Sequence, residues 1–361
     1  MNRIQAVYRV HSDANSIAAR ARGIAVEQSV EMPTGPIGDA YVLDEIVGRV
    51  EDVKDLGSGA YEVRIGLAAD TTGFEAGQLA NMLFGNTSLQ SDAELVDAVF
   101  PAEFAQIFGG PNQGMAGLRA RVKAKGALTA TALKPQGSPP AVLAKLAQDI
   151  ALGGIDYIKD DHGIADQSYS PFAERVPAVA EAVAKAAAQT GIPTRYLPSL
   201  NGNLDAMRKQ IALCRKHGLD TVLATPMLAG LSQFHTLKKE NPDFAFVAHP
   251  SFGGLAMAPS FLFGKLFRLL GADAAIFPNH GGRFGYTPEE CRRLARFALE
   301  DWPCVKPCIP VPAGGMSLDR IPEMLDFFGR DVMLLIGGSL LSAKDKITGE
   351  TARFCAAVRG P

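Results

Sequence analysis

Four consecutive ionisable residues, Lys159-Asp160-Asp161-His162, close the stretch Gly153–His162. They follow a short apolar segment, Ile155–Ile158, that reads as a strand preceded by the helix-ending pair Gly153-Gly154. Side chains alternate across a strand, so Lys159 and Asp161 share a face, with His162 just beyond. An amine beside carboxylates and an imidazole is costly to bury unless something uses it; the plain alternative is a solvated loop with a self-neutralising ion pair. A protonated lysine cannot ligate a metal. If its amine captures carbon dioxide, the resulting carbamate is an oxygen donor and, with Asp161, makes a hard-oxygen site suited to Mg²⁺. Such an ion would hold adjacent hydroxyl and carbonyl oxygens of a sugar and stabilise an enediolate.

The elements that position this group form a regular series from about Gly126. Strands are predicted at Leu128–Lys134, Tyr157–Asp161, Thr194–Leu200, Thr221–Pro226, Ala245–His249, Ala274–Pro278, Cys308–Pro312 and Val332–Gly337. Helical stretches separate them at Pro140–Leu152, Phe172–Gln189, Leu204–His217, Ser232–Glu240, Ser260–Leu270, Pro288–Asp301 and Leu318–Phe328. Most of these end in Gly or Asn, as helix C-termini prefer. Eight strands alternating with helices predict an α/β fold, a (β/α)8 TIM barrel. Residues 1–110 lack strict alternation and predict a separate α+β domain. There Ala6–Val10 and Ala60–Ala68 read as strands, Tyr41–Asp52 as extended, Ser16–Gln28 and Gly77–Leu83 as helices, and Asp92–Phe108 as helical with breaks. Phe108–Gly114 marks the boundary, leaving 111–361 for the barrel and its active site.

In parallel barrels the active site lies at the carboxyl ends of the strands. The residues expected there include Lys134-Pro135-Gln136, Lys159–His162, Asn201-Gly202-Asn203, His249-Pro250-Ser251, Asn279–Arg283, Gly314-Gly315 and Gly337-Gly338. Glycine pairs after the last two strands suit phosphate, because bare backbone N–H groups approach an oxyanion closely, although helix-entry turns also use such pairs. Lys134 reads as a catalytic residue in preference to a surface cation, and His249 as a substrate contact in preference to a core histidine.

Composition narrows the classes. The 361 residues carry 36 basic and 38 acidic side chains, a formal charge of −2, which gives no electrostatic reason to expect nucleic acid or an anionic membrane as partner. No apolar run is long enough to span a bilayer, and the N-terminus lacks a signal-peptide core. Five scattered cysteines fit a reduced, cytoplasmic setting.

The pairing of Leu-Lys-Pro (133–135) with Gly-Gly-Ile-Asp-Tyr-Ile-Lys-Asp-Asp (153–161) resembles the large subunit of ribulose bisphosphate carboxylase (RuBisCO). The resemblance continues through Phe-Gly-Gly-Pro-Asn-Gln-Gly (108–114), Ala-Gly-Gly-Met (313–316) and Ile-Gly-Gly-Ser (336–339), and so covers most of the chain. It implies an N-terminal ferredoxin-like α+β domain before the barrel. It also implies a carbamate on Lys159, Mg²⁺ (or Mn²⁺) bound by Lys159 and Asp161, Lys134 as base, and His249 as substrate contact. Gly314, Gly315, Gly337 and Gly338 would bind phosphate. Glu27 and Asn86 would reach the site of the partner subunit in a homodimer with a shared active site.

The departures point away from carboxylation. Gln136 replaces a second lysine, Pro250 the arginine for a second phosphate, Arg283 the lysine that polarises carbon dioxide, Ala313 a serine, and His162 the third, glutamate, metal ligand. The pattern resembles form IV RuBisCO-like proteins, with Lys-Asp-Asp-His-Gly closest to the apiose/isoapionate catabolic subgroup. His162 would either bind the metal, favouring softer ions, or turn to the substrate. The expected function is metal-dependent carbon–carbon cleavage of a phosphorylated 3-oxo sugar acid such as 3-oxo-isoapionate 4-phosphate. It would be a decarboxylase or transcarboxylase/hydrolase, with Arg283 clamping the substrate carboxylate. The alternatives are an enolase or isomerase of a methylthio-ketose phosphate in methionine salvage, and a non-catalytic metabolite-binding protein.

Overall fold

A computed structural model describes residues 2–254 and 256–360. The chain divides into two units, Met1–Gly109 with Phe252–Leu262, and Gly110–Ser251 with Phe263–Pro361. In the first unit, strands β1 (Arg3–His11), β2 (Arg49–Gly57), β3 (Ala60–Ala68) and β4 (Ala93–Val99) form an antiparallel sheet ordered β2-β3-β1-β4. Helices Ile17–Glu27 and Ala76–Phe84 complete a βαββαβ, ferredoxin-like sequence of elements. Period-two burial builds it: Ile4, Ala6, Tyr8 and Val10 of β1 and Val63, Ile65 and Leu67 of β3 are buried. The Tyr8 hydroxyl donates to the Leu83 carbonyl at 2.6 Å, tying the second helix to the sheet.

Two segments here differ from the sequence expectation. Asp92–Phe108 is not one broken helix: β4 pairs with β1, placing Leu95 opposite Tyr8, and only Ala102–Phe108 is helical. Burial of Leu95 and Ala98 in the sheet outweighs local helix propensity. Within Tyr41–Asp52, Val42–Ile46 forms a short π-helical turn. The Asp39 carboxylate caps it by accepting the N–H groups of Tyr41 (2.8 Å) and Val42 (3.3 Å). β2 begins only after Gly48, where a Cβ would sit 2.3 Å from the Ala25 carbonyl oxygen, so the chain can pass there only as glycine.

The second unit holds eight parallel strands: β5 (Leu128–Leu133), β6 (Tyr157–Asp160), β7 (Arg195–Leu197), β8 (Thr221–Ala224), β9 (Ala245–Ala248), β10 (Ala274–Pro278), β11 (Ile309–Ala313) and β12 (Met333–Leu335). They pair as β12-β5-β6-β7 and β8-β9-β10-β11. Leu223 N–H donates to Pro198 (2.9 Å) and Leu200 N–H to Leu223 (2.8 Å), joining β7 to β8, and β11 lies beside β12, closing the barrel. Ala130, Tyr157, Leu197, Leu223, Val247, Ile276, Val311 and Leu335, one from each strand, fill the interior. Each large apolar side chain fully buried there contributes roughly 1.5–3 kcal/mol.

Helix Gly114–Val122 seals the interior with Leu118 and Val122, and Tyr157 donates to the Leu118 carbonyl at 2.7 Å. The buried Asp273 carboxylate accepts the N–H groups of Gln113, Gly114 and Phe246, each at 2.6 Å, pinning the entry to this helix. The sealing helix and the last helix, Ile347–Arg359, were not anticipated from sequence. Several strands stop one to three residues short of their predicted ends, because the polar residues at the rim leave the ladder.

Candidate active site

β6 supplies the core of the site. Tyr157 and Lys159 face the barrel interior, and Asp160 points outward into a fully buried environment. Lys159 is 5% exposed, and its Nζ donates to the Asp160 carbonyl at 2.9 Å. Burial, helped by the nearby Lys134 charge and opposed by Asp161, draws the Lys159 amine down to about 8. Asp161 is bridged to Lys134 Nζ at 3.0 Å and to His162 Nδ1 at 3.5 Å. Burial would raise its carboxyl. The hydrogen bonds from His162 and Lys134 and the charges of both lysines prevail and hold it well below the usual carboxylate range.

The His162 ring stacks on His249, with centroids 4.1 Å apart and planes 14° from parallel. Burial, then the charges of Lys159 and His162, push the His249 imidazole down to about 2, so it stands neutral. Its Nδ1 accepts the Ser251 backbone N–H at 3.2 Å, which leaves the proton on Nε2 as a donor. Gln136 lies over Gly163, where a Cβ would meet its Oε1 at 2.8 Å. Lys134, Lys159, Asp161, His162 and His249 are thus one connected cluster at the ends of β5, β6 and β9.

The glycines occupy the loops after β11 and β12. Gly314 and Gly315 adopt positive φ (79° and 68°), and Gly337 and Gly338 have open space where side chains would be. The loop after β10 crosses the first pair closely: a Cβ on Gly315 would lie 2.8 Å from Gly282 Cα, and one on Gly282 2.8 Å from the Gly314 oxygen. Arg320 laces the two loops by donating to the carbonyls of His280 (3.3 Å) and Gly315 (3.1 Å). The Arg283 guanidinium lies 4.9 Å from the ring of its exposed neighbour Phe284, which itself rests against Gly314.

In the first unit, Asn86 Nδ2 donates to Glu27 at 2.9 Å and to Glu31 at 2.7 Å, so Glu27 and Asn86, 59 positions apart, form one exposed group. Sequence reading placed Ser251 at the rim but gave it no role, where it orients His249, and missed Arg175 and Tyr196, which hold Asp160. Ser251 follows His249 by only two positions and was the one signal at hand. Among the described residues no three His, Cys, Asp or Glu side chains gather as a ready metal site. The donors that fit a hard cation are Asp161 and the oxygens a carbamate would add to Lys159, whose buried, lowered amine suits that reaction, while His162 beside them would favour a softer ion such as Mn²⁺.

The fold and rim define a (β/α)8 barrel protein with an amine–carboxylate site. The family model of the ribulose bisphosphate carboxylase large chain, catalytic domain, matches residues 114–276. A 5-methylthioribulose-1-phosphate isomerase of Rhodospirillum rubrum is 57% identical, covering 99% of this chain and 97% of that protein. A 2,3-diketo-5-methylthiopentyl-1-phosphate enolase of Geobacillus kaustophilus is 29% identical, covering 99% and 92%. The crystal structure of a RuBisCO-like protein from Rhodopseudomonas palustris superposes with a TM-score of 0.93 at 49% identity, covering 99% and 98%. The chain belongs to the ribulose bisphosphate carboxylase large-chain family, as a RuBisCO-like protein of form IV.

These relatives overturn the expected carbon–carbon cleavage of a 3-oxo sugar acid, whether by decarboxylase or by transcarboxylase/hydrolase. They carry isomerase and enolase names instead, and the apiose/isoapionate assignment falls with it. The expectation leaned on Arg283 as a carboxylate clamp. In the structure that guanidinium is engaged with Phe284.

Proposed function

We propose that this protein is an isomerase of a methylthio-substituted ketose phosphate, of the kind handled in methionine salvage, working by proton transfer through an enolised intermediate. The observation that carries the reading is the cluster of buried Lys159 with the partly exposed Asp161–Lys134 pair, in a chain 57% identical, end to end, to a 5-methylthioribulose-1-phosphate isomerase. Such an isomerisation moves a proton from a carbon beside the carbonyl to a neighbouring carbon, with no net oxidation and no leaving group.

Each residue then has a task. Lys134, in its neutral form, takes the proton and returns it at the neighbouring carbon. His249, neutral, gives its Nε2 proton to the carbonyl oxygen and takes one back from the hydroxyl that becomes the new carbonyl, so it ends the cycle neutral. The N–H groups around Gly314, Gly315, Gly337 and Gly338 hold the phosphate. Asp161, His162 and a carbamate on Lys159 would hold Mg²⁺, or Mn²⁺ in its place; when bound, the cation supplies a Lewis acid that favours charge developing on a carbonyl oxygen. Glu27 and Asn86, already paired with each other, would complete the site of a partner subunit in a homodimer.

The test is incubation with 5-methylthioribulose 1-phosphate, Mg²⁺ and bicarbonate in D₂O, followed by phosphorus and proton NMR. A new ketose phosphate carrying solvent deuterium, absent with Lys159→Ala, is the expected result. Turnover only of the 2,3-diketo-5-methylthiopentyl 1-phosphate would replace isomerase by enolase. Turnover of neither would sink the reading.

A further inference from the structure

We propose that Tyr196 and Arg175 are positioning residues for the active site, fixing through Asp160 the direction in which Lys159 and Asp161 are presented. The inference deepens the proposed function and rests on its assignment of Lys159 and Asp161.

The ladder between β5 and β6 ends at the pair Leu133–Asp160, so Asp161 stands just beyond the last paired residue. The sheet does not fix its direction; beside its bridges to Lys134 (3.0 Å) and His162 (3.5 Å), the anchoring of its neighbour sets the backbone it springs from. Asp160 is held at both ends. Its carbonyl receives Lys159 Nζ at 2.9 Å. Its carboxylate accepts the Tyr196 hydroxyl at 2.7 Å, Arg175 Nε at 3.2 Å and the Ser199 backbone N–H at 3.1 Å.

These donors come from β7, from the first turn of helix Phe172–Thr190 and from the loop after β7, so three elements converge on one side chain. Asp160 and Arg175 are both 0% exposed. Arg175 is held in turn by the Ser170 carbonyl (2.5 Å) and lies over the Phe172 ring (5.5 Å).

Stability alone is a poor reason for this arrangement. A fully buried ion pair often stabilises no more than apolar residues of the same volume would. What the network provides is direction: alternation along the strand sends Lys159 and Asp161 to the face opposite Asp160, and a rotation of Asp160 would turn both. Groups that orient metal ligands from behind typically change metal affinity by about 10- to 100-fold when removed.

Tyr196→Phe deletes one donor and keeps the ring, and Arg175→Lys is a second variant that keeps the charge. Each is compared with wild-type full-length protein for Mn²⁺ affinity by electron spin resonance in bicarbonate, for kcat and KM, and for melting temperature. The expected result for Tyr196→Phe is Mn²⁺ binding weakened about 10- to 100-fold and kcat lowered with KM nearly unchanged. Mn²⁺ affinity within twofold of wild type in both variants, with only the melting temperature lowered, would reduce the network to a structural role and overturn the proposal. Should wild-type protein bind Mn²⁺ yet turn over no methylthio-ketose phosphate, the proposed function fails alone, and the affinity ratio still decides this one. Wild-type protein that binds no Mn²⁺ under bicarbonate would overturn both.

Discussion

Replacing Lys159 by methionine should cost all activity and yet make the folded protein more stable at neutral pH. Burial, against the pull of Asp161 and with the help of Lys134, moves the Lys159 amine from its ordinary 10.5 to about 8. At 1.36 kcal/mol per pH unit, that is on the order of 3 kcal/mol of stability withheld while the amine is charged. The folded value lies below the unfolded one. The penalty is therefore full below pH 8, shrinks between pH 8 and 10.5, and is gone above that range. Lys159→Met keeps the stem and removes the charge, so urea unfolding at pH 7 should show a midpoint shifted upward by the equivalent of about 3 kcal/mol, with the gain vanishing by pH 11.

The same shift governs carbamate formation. At pH 7 about 9% of such an amine is neutral, against about 0.03% of an ordinary lysine, an advantage of roughly 300-fold. Carbon-13 NMR with labelled bicarbonate should therefore show a carbamate whose formation rate has its midpoint near pH 8. Asp161→Asn should move that midpoint down and Lys134→Met should move it up, following the sign of each charge. A midpoint above pH 10, or a Lys159→Met protein less stable than wild type at pH 7, would refute the reasoning.

Other variants test separate parts of the structure. Ser251→Ala removes the hydroxyl 2.9 Å from His249 Nδ1 and leaves the backbone N–H; kcat should fall several-fold with the melting temperature unchanged. Gly315→Ala forces a Cβ to 2.8 Å from Gly282 Cα at a φ of 68°, so phosphorylated ligands should bind at least tenfold more weakly by calorimetry, with stability lowered by about 1–3 kcal/mol. Asp273→Asn turns an amide toward one of three backbone donors and should cost about 1–3 kcal/mol in urea unfolding without changing KM.

The barrel was legible because its evidence is local and repeated. Apolar strands stop at polar rims, and helices such as Leu204–Lys216 and Pro288–Leu299 begin at Asn203 and Thr287, whose side chains accept the N–H groups of Ala206 and Glu290. β4 was obscured because Ala93–Phe108 carries alanines and acids that also suit a helix, and only its pairing with β1 decides the matter. At the site, residue type and rim position singled out Lys134, Lys159, Asp161 and His249, which the structure brings into one cluster. Orientation was not legible. Arg283 looks like an anion clamp as a residue type and its guanidinium lies over Phe284, but a residue type does not name a substrate, and the sugar acid inferred from it is overturned by the names of the relatives. Tyr196 and Arg175 gave no signal, because their meaning depends on Asp160, contacted across 36 and 15 positions.

The crossing of Gly282 with Gly314 and Gly315 limits how this protein can evolve. Most steric conflicts in a protein can be relieved by trimming the neighbour, which opens a two-step route through sequence space. Here neither partner has a side chain left to trim, since each Cβ would meet backbone atoms of the other loop at 2.8 Å. No compensating substitution at the facing position restores either glycine, so the pair can change only if a loop is rebuilt. Rim positions that bear side chains, such as Gln136, Pro250 and Arg283, are free to drift, while the glycine crossing is held fixed by geometry.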